Sequence, residues 1–411
     1  MRRVVVTGIG AVTPVGTSAR ETWDAFVHGR SGIAPISLFD STDFDVCIAG
    51  EVKDFTTDGV ISSKEARHMD RSVQMALVAT REAVTDAGLE ISEEEAPNVG
   101  VIYGTGAGGF GQLLAQQQVI DERGPSRVSP FFIPHFLPDT SSGMIAIQYG
   151  AQGPNMAVAS ACATGGTAVG EAMETIRRGD CDVIITGGAE APIKPVIMAG
   201  FINMRVLSSF SDEPEKAARP FDLNRDGFVL AEGAGTLILE EMEYAKRRGA
   251  RIYAEVVGYG STNDAYHMAA PRPDSAGPIR AMKMALRKAE LPLDSVSYIN
   301  AHGTGTVLND RLETGAVKSV FGNHAYDLAI TSTKSMVGHM MGAAGAVESI
   351  ACIRAIYDGI IPPTINLNVP DPDCDLDYVP RTARETSVQV AMTNSIGLGG
   401  HNSCVIFRSY S

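Results

Sequence analysis

The segment that decides the fold reads Ala159-Ser160-Ala161-Cys162-Ala163-Thr164-Gly165-Gly166. An apolar run at residues 156–159 leads into it and predicts a buried strand, and a helical pattern at residues 167–178 follows it. A thiol at such a junction faces the positive end of the helix dipole, which favours the nucleophilic thiolate. Because a free cysteine is more often a buried structural residue, Cys162 is either a nucleophile or part of the core.

The composition is that of an α/β protein with a large core. The chain has 411 residues, of which 44% are hydrophobic and 20% charged, and its length predicts two or three domains. No apolar run approaches the roughly 20 residues that span a bilayer, and the N-terminus lacks the apolar stretch of a signal peptide. We therefore expect a cytoplasmic protein without membrane insertion. The net charge of −14 argues against nucleic-acid binding.

Cysteine spacing and glycine-rich turns exclude several kinds of site. The six cysteines show no CxxC pair or metal-ligand spacing, which predicts reduced thiols and no metal site. Gly8-Ile9-Gly10 lacks the third glycine of a dinucleotide-binding turn and is soon followed by Pro14. The glycine-rich residues 104–109 lack the Gly-Lys-Ser/Thr ending of a P-loop. The sequence therefore predicts no nucleotide site.

Apolar strand-like runs alternate with helical patterns along the chain. Predicted strands lie at residues 4–6, 99–103 and 182–186, and predicted helices at residues 72–87 and 278–289. Pro278 suits the first position of its helix, where no N–H donor is needed. Alternation of this kind, with glycine-rich turns, predicts an α/β architecture in which helices cover both faces of the sheet.

A strand-and-turn pattern occurs twice. Residues 253–260 read Tyr-Ala-Glu-Val-Val-Gly-Tyr-Gly and echo residues 3–10, which read Arg-Val-Val-Val-Thr-Gly-Ile-Gly. The echo suggests two related halves, residues 1–250 with Cys162 and residues 251–411 with the histidines described next.

Two histidines in the second half stand in similar settings. His302 begins His-Gly-Thr-Gly-Thr after a strand-like run, and His339 ends Lys-Ser-Met-Val-Gly-His. We expect both to follow β-strands. A lone histidine in such a place is most often structural. Two of them, with Lys334 five residues before the second and a candidate nucleophile elsewhere, indicate a catalytic group.

Four motifs in a fixed order give the chain a specific resemblance. They are Ala-Cys-Ala-Thr-Gly around Cys162, His-Gly-Thr-x-Thr at 302–306, Lys-Ser-Met-x-Gly-His at 334–339 and Asn-Ser-x-Gly-x-Gly-Gly-His-Asn at 394–402. Together they resemble the elongating β-ketoacyl-[acyl-carrier-protein] synthases of the thiolase superfamily, most of all synthase II. The resemblance runs nearly end to end. It implies a thiolase-type five-layered α-β-α-β-α fold of two pseudo-symmetric halves, and a homodimer.

The resemblance also implies a decarboxylative condensation in fatty acid elongation. Cys162 would take an acyl group from acyl carrier protein while the backbone N–H groups of Cys162 and Leu398 bind the oxyanion. Malonyl carrier protein would lose CO₂, and its carbanion would attack the acyl group to give the 3-oxoacyl product. His302 and His339, as neutral donors, would hold the malonyl thioester carbonyl. No cofactor is expected beyond the phosphopantetheine arm that carries each substrate.

Three further residues gain catalytic or binding roles in this way. Lys334 would orient His339 and tune the local field, or else form a structural ion pair, with Glu348 as the candidate partner. The hydroxyls of Thr304 and Thr306 would hydrogen-bond the amides of the phosphopantetheine arm.

Basic residues are implied for docking the acidic carrier protein. Lys64, Arg67 and Arg205 match the docking positions of the family and would steer an acidic partner toward a chain that is itself acidic. Ordinary solvated charges would look the same in the sequence.

Several substrate-pocket positions depart from the family pattern. Ile396 and Leu398 replace two phenylalanines of the gate loop, and Ala107 stands where the acyl pocket has isoleucine. The smaller Ala107 predicts a preference for bulkier acyl groups, unless Phe110 refills the space. Gly305 replaces a serine of the fatty acid synthases and is frequent in polyketide ketosynthases. A ketosynthase of a type II polyketide synthase is therefore the main competing function.

A chain-length factor and a degradative thiolase fit the residues less well. The former shapes the cavity of a partner subunit and typically lacks the nucleophile, whereas Cys162 and both histidines are present here. A degradative thiolase uses a second cysteine in a different C-terminal motif. Cys404 lies instead in a strand-like run, which predicts that it is a structural residue.

Overall fold

Strands and helices alternate along residues 2–410, the part of the chain that the computed structural model describes. The strands are β1 (Val4–Val12), β2 (Ile33–Pro35), β3 (Ile48–Gly50), β4 (Val99–Gly104), β5 (Asn155–Val158), β6 (Val183–Glu190), β7 (Gly233–Glu241), β8 (Ala254–Asn263), β9 (Tyr298–Asn300), β10 (Ala329–Thr331), β11 (Ile360–Ile361), β12 (Arg384–Glu385), β13 (Val390–Gly397) and β14 (His401–Arg408). The helices are α1 (Ala19–Val27), α2 (Ser63–Ala66), α3 (Arg71–Ala87), α4 (Phe110–Arg123), α5 (Phe132–Phe136), α6 (Thr140–Tyr149), α7 (Thr164–Arg178), α8 (Pro195–Asn203), α9 (Met242–Arg247), α10 (Ala276–Ala289), α11 (Val307–Phe321), α12 (Lys334–Val337) and α13 (Ala344–Asp358).

Ten strands form two five-stranded halves that meet at one seam. Their order is β10-β9-β13-β14-β8-β1-β7-β6-β4-β5. The seam is the antiparallel pair β1–β8, which is joined over only three residues of each strand. When the strands of each half are numbered along the chain, both halves read 3-2-4-5-1 from the outer edge to the seam. This shared order is the pseudo-symmetry that the resemblance implied.

Helices fill the space between the two halves of the sheet and cover their outer faces. The central helices α7 and α13 pack against each other and against strands of both halves. On the outer sides, α3 covers β1 and β7, and α10 covers β8 and β14. Eleven of the fifteen residues of α13 are buried, as expected for a helix that is covered all round. The predicted α-β-α-β-α layer order is confirmed.

Glycines allow the two central helices to approach until their backbones touch. A Cβ atom on Gly165 of α7 would lie 2.5 Å from the backbone nitrogen of Ala346 on α13. A Cβ atom on Gly345 would lie 2.4 Å from the nitrogen of Gly166. Since any side chain would force these helices apart, the glycines place the first turns of α7 and α13, one from each half, side by side at the centre of the molecule.

Most predicted elements are present, and the differences lie at their ends. The helix expected from residue 167 begins at Thr164, so the small residues after Cys162 are already helical. Helix α10 begins at Ala276, which makes Pro278 its third residue rather than its first. Pro278 is tolerated there because N–H groups in the first turn of a helix have no intrahelical acceptor.

The strand before Cys162 is present as β5, but the prediction that it is buried was wrong. This strand lies at the outer edge of its half and pairs only with β4. Met156 on it is 40% exposed. The apolar pattern of the segment is that of a buried strand, yet its edge position leaves one side open within a single copy of the chain.

The sequence predicted reduced cysteines and no membrane insertion. All six cysteines are free, and Cys404 is buried in β14, the structural position that the sequence predicted. Within residues 2–410, no helix combines the length and the apolarity needed to cross a bilayer.

Replacing Gly165 with alanine is expected to lower the free energy of unfolding by about 1–3 kcal/mol, because the new methyl group overlaps the backbone of α13. Gly315 on α11 is the matched control, since a Cβ atom there meets nothing within 4 Å. Gly315→Ala should raise stability by up to about 1 kcal/mol through helix propensity. Urea unfolding followed by circular dichroism measures both changes, and equal effects would contradict the backbone contact.

Candidate active site

A cavity of about 420 Å³ brings together residues from both halves of the fold. Its lining includes seven residues singled out in the sequence, Cys162, His302, Thr304, Thr306, His339, Ile396 and Leu398. Apolar side chains supply much of the remaining wall, among them Phe201, Met204, Val206, Phe228, Leu308 and Met341. The candidate nucleophile and both histidines therefore face one common space.

Cys162 lies in a tight 3₁₀ turn, Ala161–Ala163, that leads directly into α7. Ala161 has a φ of 50°, a left-handed conformation that is uncommon for residues other than glycine. The backbone N–H of Ser160 donates to Thr164 Oγ1 at 2.9 Å and fixes the turn. The buried thiol is thus held at the N-terminal end of a fifteen-residue helix.

The resting thiol is protonated, contrary to the thiolate that the helix dipole predicted. Burial raises the pKa of Cys162 to about 11, while the backbone N–H of Leu398 and the charge of Lys334 act to lower it. Desolvation outweighs them because only 6% of the Cys162 surface is exposed. A nucleophilic Cys162 would therefore have to lose its proton as it attacks.

The backbone N–H groups of Cys162 and Leu398 lie near the sulfur of Cys162, and both act to lower its pKa. Gly397, at the end of β13, makes the approach of the Leu398 turn possible. A Cβ atom on Gly397 would lie 2.9 Å from the carbonyl oxygen of Ser160 and 3.1 Å from the nitrogen of Cys162. Fixed donors beside a nucleophile are the arrangement that stabilises an oxyanion on the carbonyl under attack.

His302 follows β9, as predicted, and a buried carboxylate holds its loop. The backbone N–H groups of His302 and Gly303 donate to Glu313 Oε1 and Oε2, each at 2.8 Å. Burial raises the pKa of Glu313 to about 7. The sequence analysis missed Glu313, although the signal was present: together with Asp310 it forms an acidic i, i+3 pair on the buried face of α11.

His339 follows the short helix α12 and not a strand, so that expectation was wrong. Gly338, with a φ of 75°, turns the chain after the helix. The backbone N–H of His339 donates to the carbonyl of Val229 at 2.7 Å, and its carbonyl accepts from Ala231 at 3.0 Å. These backbone hydrogen bonds, and not a preceding strand, hold the backbone that carries the imidazole.

Both imidazoles are neutral and adjacent. Burial lowers the pKa of His302 and of His339 well below its usual value, and the charge of Lys334 lowers both further. Their rings meet edge to face with centroids 5.3 Å apart. Nδ1 of each ring is buried and has no hydrogen-bond partner within residues 2–410. A neutral imidazole can donate to a developing oxyanion through one nitrogen or accept a proton on the other.

Lys334 forms a buried ion pair with Glu348, the partner that the sequence left open. Within the described residues its ammonium makes no hydrogen bond to His339. Its charge nevertheless lowers the pKa of both histidines. Removing one partner of a buried pair costs about 3–5 kcal/mol, so substitutions of Lys334 mix stability with activity.

The threonines of the second motif line the cavity beside His302. The hydroxyls of Thr304 and Thr306 lie 3.1 Å apart. Thr306 Oγ1 also caps α11 by accepting from the backbone N–H of Asn309 at 3.4 Å. Both side chains are fixed before any ligand enters.

A second loop at the mouth of the cavity was missed by the sequence analysis. Asp264 and His267 line the cavity from this loop, together with Ala269, Ala270 and Pro271. The loop is tied to the gate loop, because Gly399 donates its N–H to the carbonyl of Met268 at 2.7 Å. The gate around Ile396 and Leu398 is therefore braced by backbone contacts even without aromatic rings.

Ala107 and Phe110 do not line this cavity. Ala107 is exposed, and its N–H donates to Glu190 Oε1 at 3.1 Å. Phe110 is partly buried and begins α4, a helix with no buried residue. The cavity therefore does not include the positions that the resemblance assigned to the acyl pocket.

The three basic residues proposed for docking are all exposed. Lys64 lies on α2 and Arg67 directly follows it. Arg205 lies between Met204 and Val206, both of which line the cavity, so its charge stands beside the opening. The structure thus places one of the three close to the cavity mouth.

Both parts of the chain match one protein family. Residues 1–245 match the family described as β-ketoacyl synthase, N-terminal domain, and residues 253–368 match β-ketoacyl synthase, C-terminal domain. The 3-oxoacyl-[acyl-carrier-protein] synthase 2 of Synechocystis sp. is 49% identical over 409 residues, which cover 100% of this chain and 98% of that protein. The protein of the same name from Staphylococcus aureus is 48% identical over 410 residues, covering 100% and 99%.

Solved structures of similar fold include polyketide enzymes. A type II polyketide ketosynthase in complex with its acyl-carrier protein has a TM-score of 0.91 and 36% identity, with both chains fully covered. The ishigamide ketosynthase/chain length factor has a TM-score of 0.92 and 37% identity, again over both whole chains.

Glu313 is expected to make stability fall as the pH rises. Its pKa is about 7 in the folded chain and near 4.5 when unfolded, so its stabilising protonation is complete below pH 4.5 and lost by pH 7. Between pH 5 and pH 8, Glu313→Gln should therefore gain up to about 3 kcal/mol of unfolding free energy relative to the unchanged protein. Urea unfolding at the two pH values measures the difference.

Glu255→Gln is the control for that experiment. Burial acts to raise the pKa of Glu255, but hydrogen bonds from Arg3 and Arg408 keep it below its usual value. Its contribution should stay constant over the same pH interval. A Glu313→Gln difference that is equally constant would contradict the raised pKa of Glu313.

Proposed function

This chain belongs to the β-ketoacyl synthase family, and from that premise we propose that Cys162, His302 and His339 carry out its condensation. It is an acyltransferase-type condensing enzyme of fatty acid elongation, which joins an acyl group to malonyl-[acyl-carrier-protein] and yields 3-oxoacyl-[acyl-carrier-protein] and CO₂. The observation that supports the residue roles is that the thiol, both neutral imidazoles and two N–H donors surround one cavity.

In the first half-reaction, Cys162 attacks the thioester carbonyl of the acyl carrier protein. The C–S bond to the pantetheine sulfur breaks as the bond to Cys162 forms, and the thiol proton ends on the leaving sulfur. A neutral histidine can relay that proton because neither ring is protonated at rest. The N–H groups of Cys162 and Leu398 stabilise the oxyanion in between.

In the second half-reaction, the malonyl thioester loses CO₂ and its electron pair moves onto the thioester as an enolate. His302 and His339 donate N–H bonds to the enolate oxygen. Imidazolium ions there would protonate the carbanion carbon, so the low histidine pKa values suit this step. The carbon then attacks the acyl group, the new C–C bond forms, and the Cys162 thiolate leaves and takes up a proton. Burial is the main cause of the low pKa values of both histidines, and the charge of Lys334 adds to it.

The substrates would arrive on acyl carrier protein, with no cofactor beyond its phosphopantetheine arm. The exposed charges of Lys64, Arg67 and Arg205 would contact this acidic partner. Thr304 and Thr306 would bind the amides of the arm inside the cavity. A related ketosynthase has been solved in complex with its acyl-carrier protein, which supports this mode of delivery. We place the reaction in the cytoplasm.

The chain would act as a homodimer of copies that each divide near residue 250, between α9 and β8. Support comes from exposed apolar side chains on or beside α5, α6 and β5, of which α6 packs against both others. They are Phe131, Ile133, Ile147 and Met156, which are 52%, 58%, 76% and 40% exposed. An open strand edge beside an apolar patch of this kind is typical of an interface between subunits.

A polyketide ketosynthase is the second candidate, because similar solved structures include polyketide enzymes. Gly305 adds little to it. Its φ of 84° is a conformation that glycine adopts without strain, so the local backbone explains the glycine. The higher identity to the curated synthase 2 proteins favours fatty acid elongation.

Incubation with a panel of acyl carrier proteins and malonyl carrier protein tests the function. Mass spectrometry should find the acyl group on Cys162 and a product two carbons longer. Cys162→Ala should abolish loading, because among residues 2–410 no other cysteine lines the cavity. Loading that survives the substitution, or no extension of any primer, would overturn the assignment.

Ala107 is proposed to widen the acyl pocket, although it does not line the cavity of a single copy. Gly109 of the same loop donates its N–H to the carbonyl of Phe136 on α5 at 3.1 Å, so the loop lies beside the face proposed to meet a second copy, where the acyl chain would extend. Ala107→Ile should shift elongation toward shorter or unbranched primers by about tenfold in kcat/KM. One to a few methylene groups in a pocket change kcat/KM by about that factor. Competition between primers measures this ratio, and an unchanged profile would show that Ala107 does not set selectivity.

A further inference from the structure

Equivalent positions in the two halves of the fold carry different residues. Strands β6 and β13 are the fourth strands of their halves, and they end at Glu190 and Gly397. Each strand end meets the helix start of the other half. Gly397 contacts the turn that carries Cys162 before α7, and Glu190 bonds to Gly342 in the matching turn before α13.

The matching turns share their backbone form. Ala161–Ala163 and Met341–Ala343 are both 3₁₀ turns that lead straight into a central helix. Their first residues, Ala161 and Met341, have φ values of 50° and 47°. Gly342 therefore occupies in the second half the place that Cys162 occupies in the first.

Glu190 is a buried carboxylate that receives four hydrogen bonds. Oε1 accepts from Thr105 Oγ1 at 2.9 Å and from the N–H of Ala107 at 3.1 Å. Oε2 accepts from the N–H groups of Gly106 at 2.6 Å and Gly342 at 3.0 Å. Within residues 2–410 it has no cationic partner.

These contacts favour the ionised form. Three of the four partners are backbone N–H groups, which can only donate, and the Thr105 hydroxyl donates to Oε1. Burial raises the pKa of Glu190, and the four donors act against that rise. Glycine is needed around the carboxylate, since a Cβ atom would lie 2.7 Å from Oε2 at Gly106 and 2.5 Å from it at Gly342.

We propose that Glu190 is a positioning residue for the condensation: a buried carboxylate at the start of α13 that fixes the loop at residues 105–107 and the turn after His339 relative to Cys162. This rests on the proposed function. One helix start is filled by a side chain of the protein, whereas the equivalent start of α7 stays open for the transient oxyanion of the substrate. Met341, in the fixed turn, forms part of the cavity wall.

The negative charge of Glu190 also affects the pKa of Cys162. Burial is the main cause of the raised pKa of Cys162, and the negative charge of Glu190 adds to it. Removing that charge should therefore make the thiol more reactive even as it loosens the site. A merely structural carboxylate far from the thiol would not have this effect.

Three variants separate charge, position and folding. Glu190→Gln removes the charge and puts an amide N–H₂ against backbone donors. Glu190→Asp keeps the charge but is one methylene shorter. Glu240→Gln is the matched control, because Glu240 is fully buried on β7 and paired with Arg248, with no contact to the cavity lining. Thermal unfolding of each variant reports its folding.

The first measurement is the iodoacetamide alkylation of Cys162, followed by mass spectrometry at pH 8 to 9. Glu190→Gln should raise its rate by up to about tenfold, which corresponds to a thiol pKa about one unit lower. Glu190→Asp and Glu240→Gln should leave the rate unchanged. This measurement needs no substrate, so it remains valid if the proposed function fails.

The second measurement is the kinetics of condensation. Both Glu190 variants should lose about 10- to 100-fold in kcat with little change in the KM for malonyl carrier protein, because the reacting groups are displaced while the arm still binds. Wild-type alkylation and kcat in Glu190→Gln would overturn the proposal, as would losses shared equally with Glu240→Gln. If Glu190→Gln does not fold, Glu190→Asp decides, and wild-type kcat in that variant would also overturn it. Absence of condensation in the unchanged protein would instead contradict the proposed function.

Discussion

The backbone contact between α7 and α13 is the constraint on which the rest of the structure depends. Gly165 and Gly345 allow it, and it brings one helix start from each half to the centre of the molecule. Cys162 stands at one start and Gly342 at the other. The loops that follow the strands of each half then converge on this centre, so His302, His339 and Leu398 reach the thiol from the opposite half. If the two helices moved slightly apart, the thiol and these three residues would all be displaced from one another.

Desolvation sets the charge of every reactive group in the cavity. It raises the pKa of the thiol and lowers that of both imidazoles, so the three groups are neutral at rest. The fixed charges stand just outside them, in the Lys334–Glu348 pair and in Glu190. In the proposed mechanism, charge develops only during reaction, on an oxyanion or an enolate, and in a site of low dielectric it meets donors that are already in place. The protein thus places full charges where they tune the reacting groups without touching them.

Local patterns predicted several strands and helices, and the resemblance carried by the four motifs implied the layers and seven of the residues that line the cavity. The sequence did not predict that β5 is exposed, since an apolar run does not tell an edge strand from a central one. It placed His339 after a strand because the helix α12 is only four residues long. Glu190 was missed because its backbone donors lie far away in sequence, such as Gly342, whereas Glu313 carried a signal in the acidic pair that it forms with Asp310 on α11. The thiolate was wrong because a dipole argument takes no account of burial.

The central claim is that the N–H groups of Cys162 and Leu398 bind the carbonyl oxygen of an acyl group on Cys162. The infrared difference spectrum of the enzyme, acylated with a ¹³C-carbonyl primer, tests it directly. Two hydrogen bonds weaken the C=O bond, so the thioester band should lie at lower frequency than that of the same thioester in water, and it should return toward that value after unfolding. A band at or above the frequency in water would contradict the account, because the carbonyl would then lie outside the two donors.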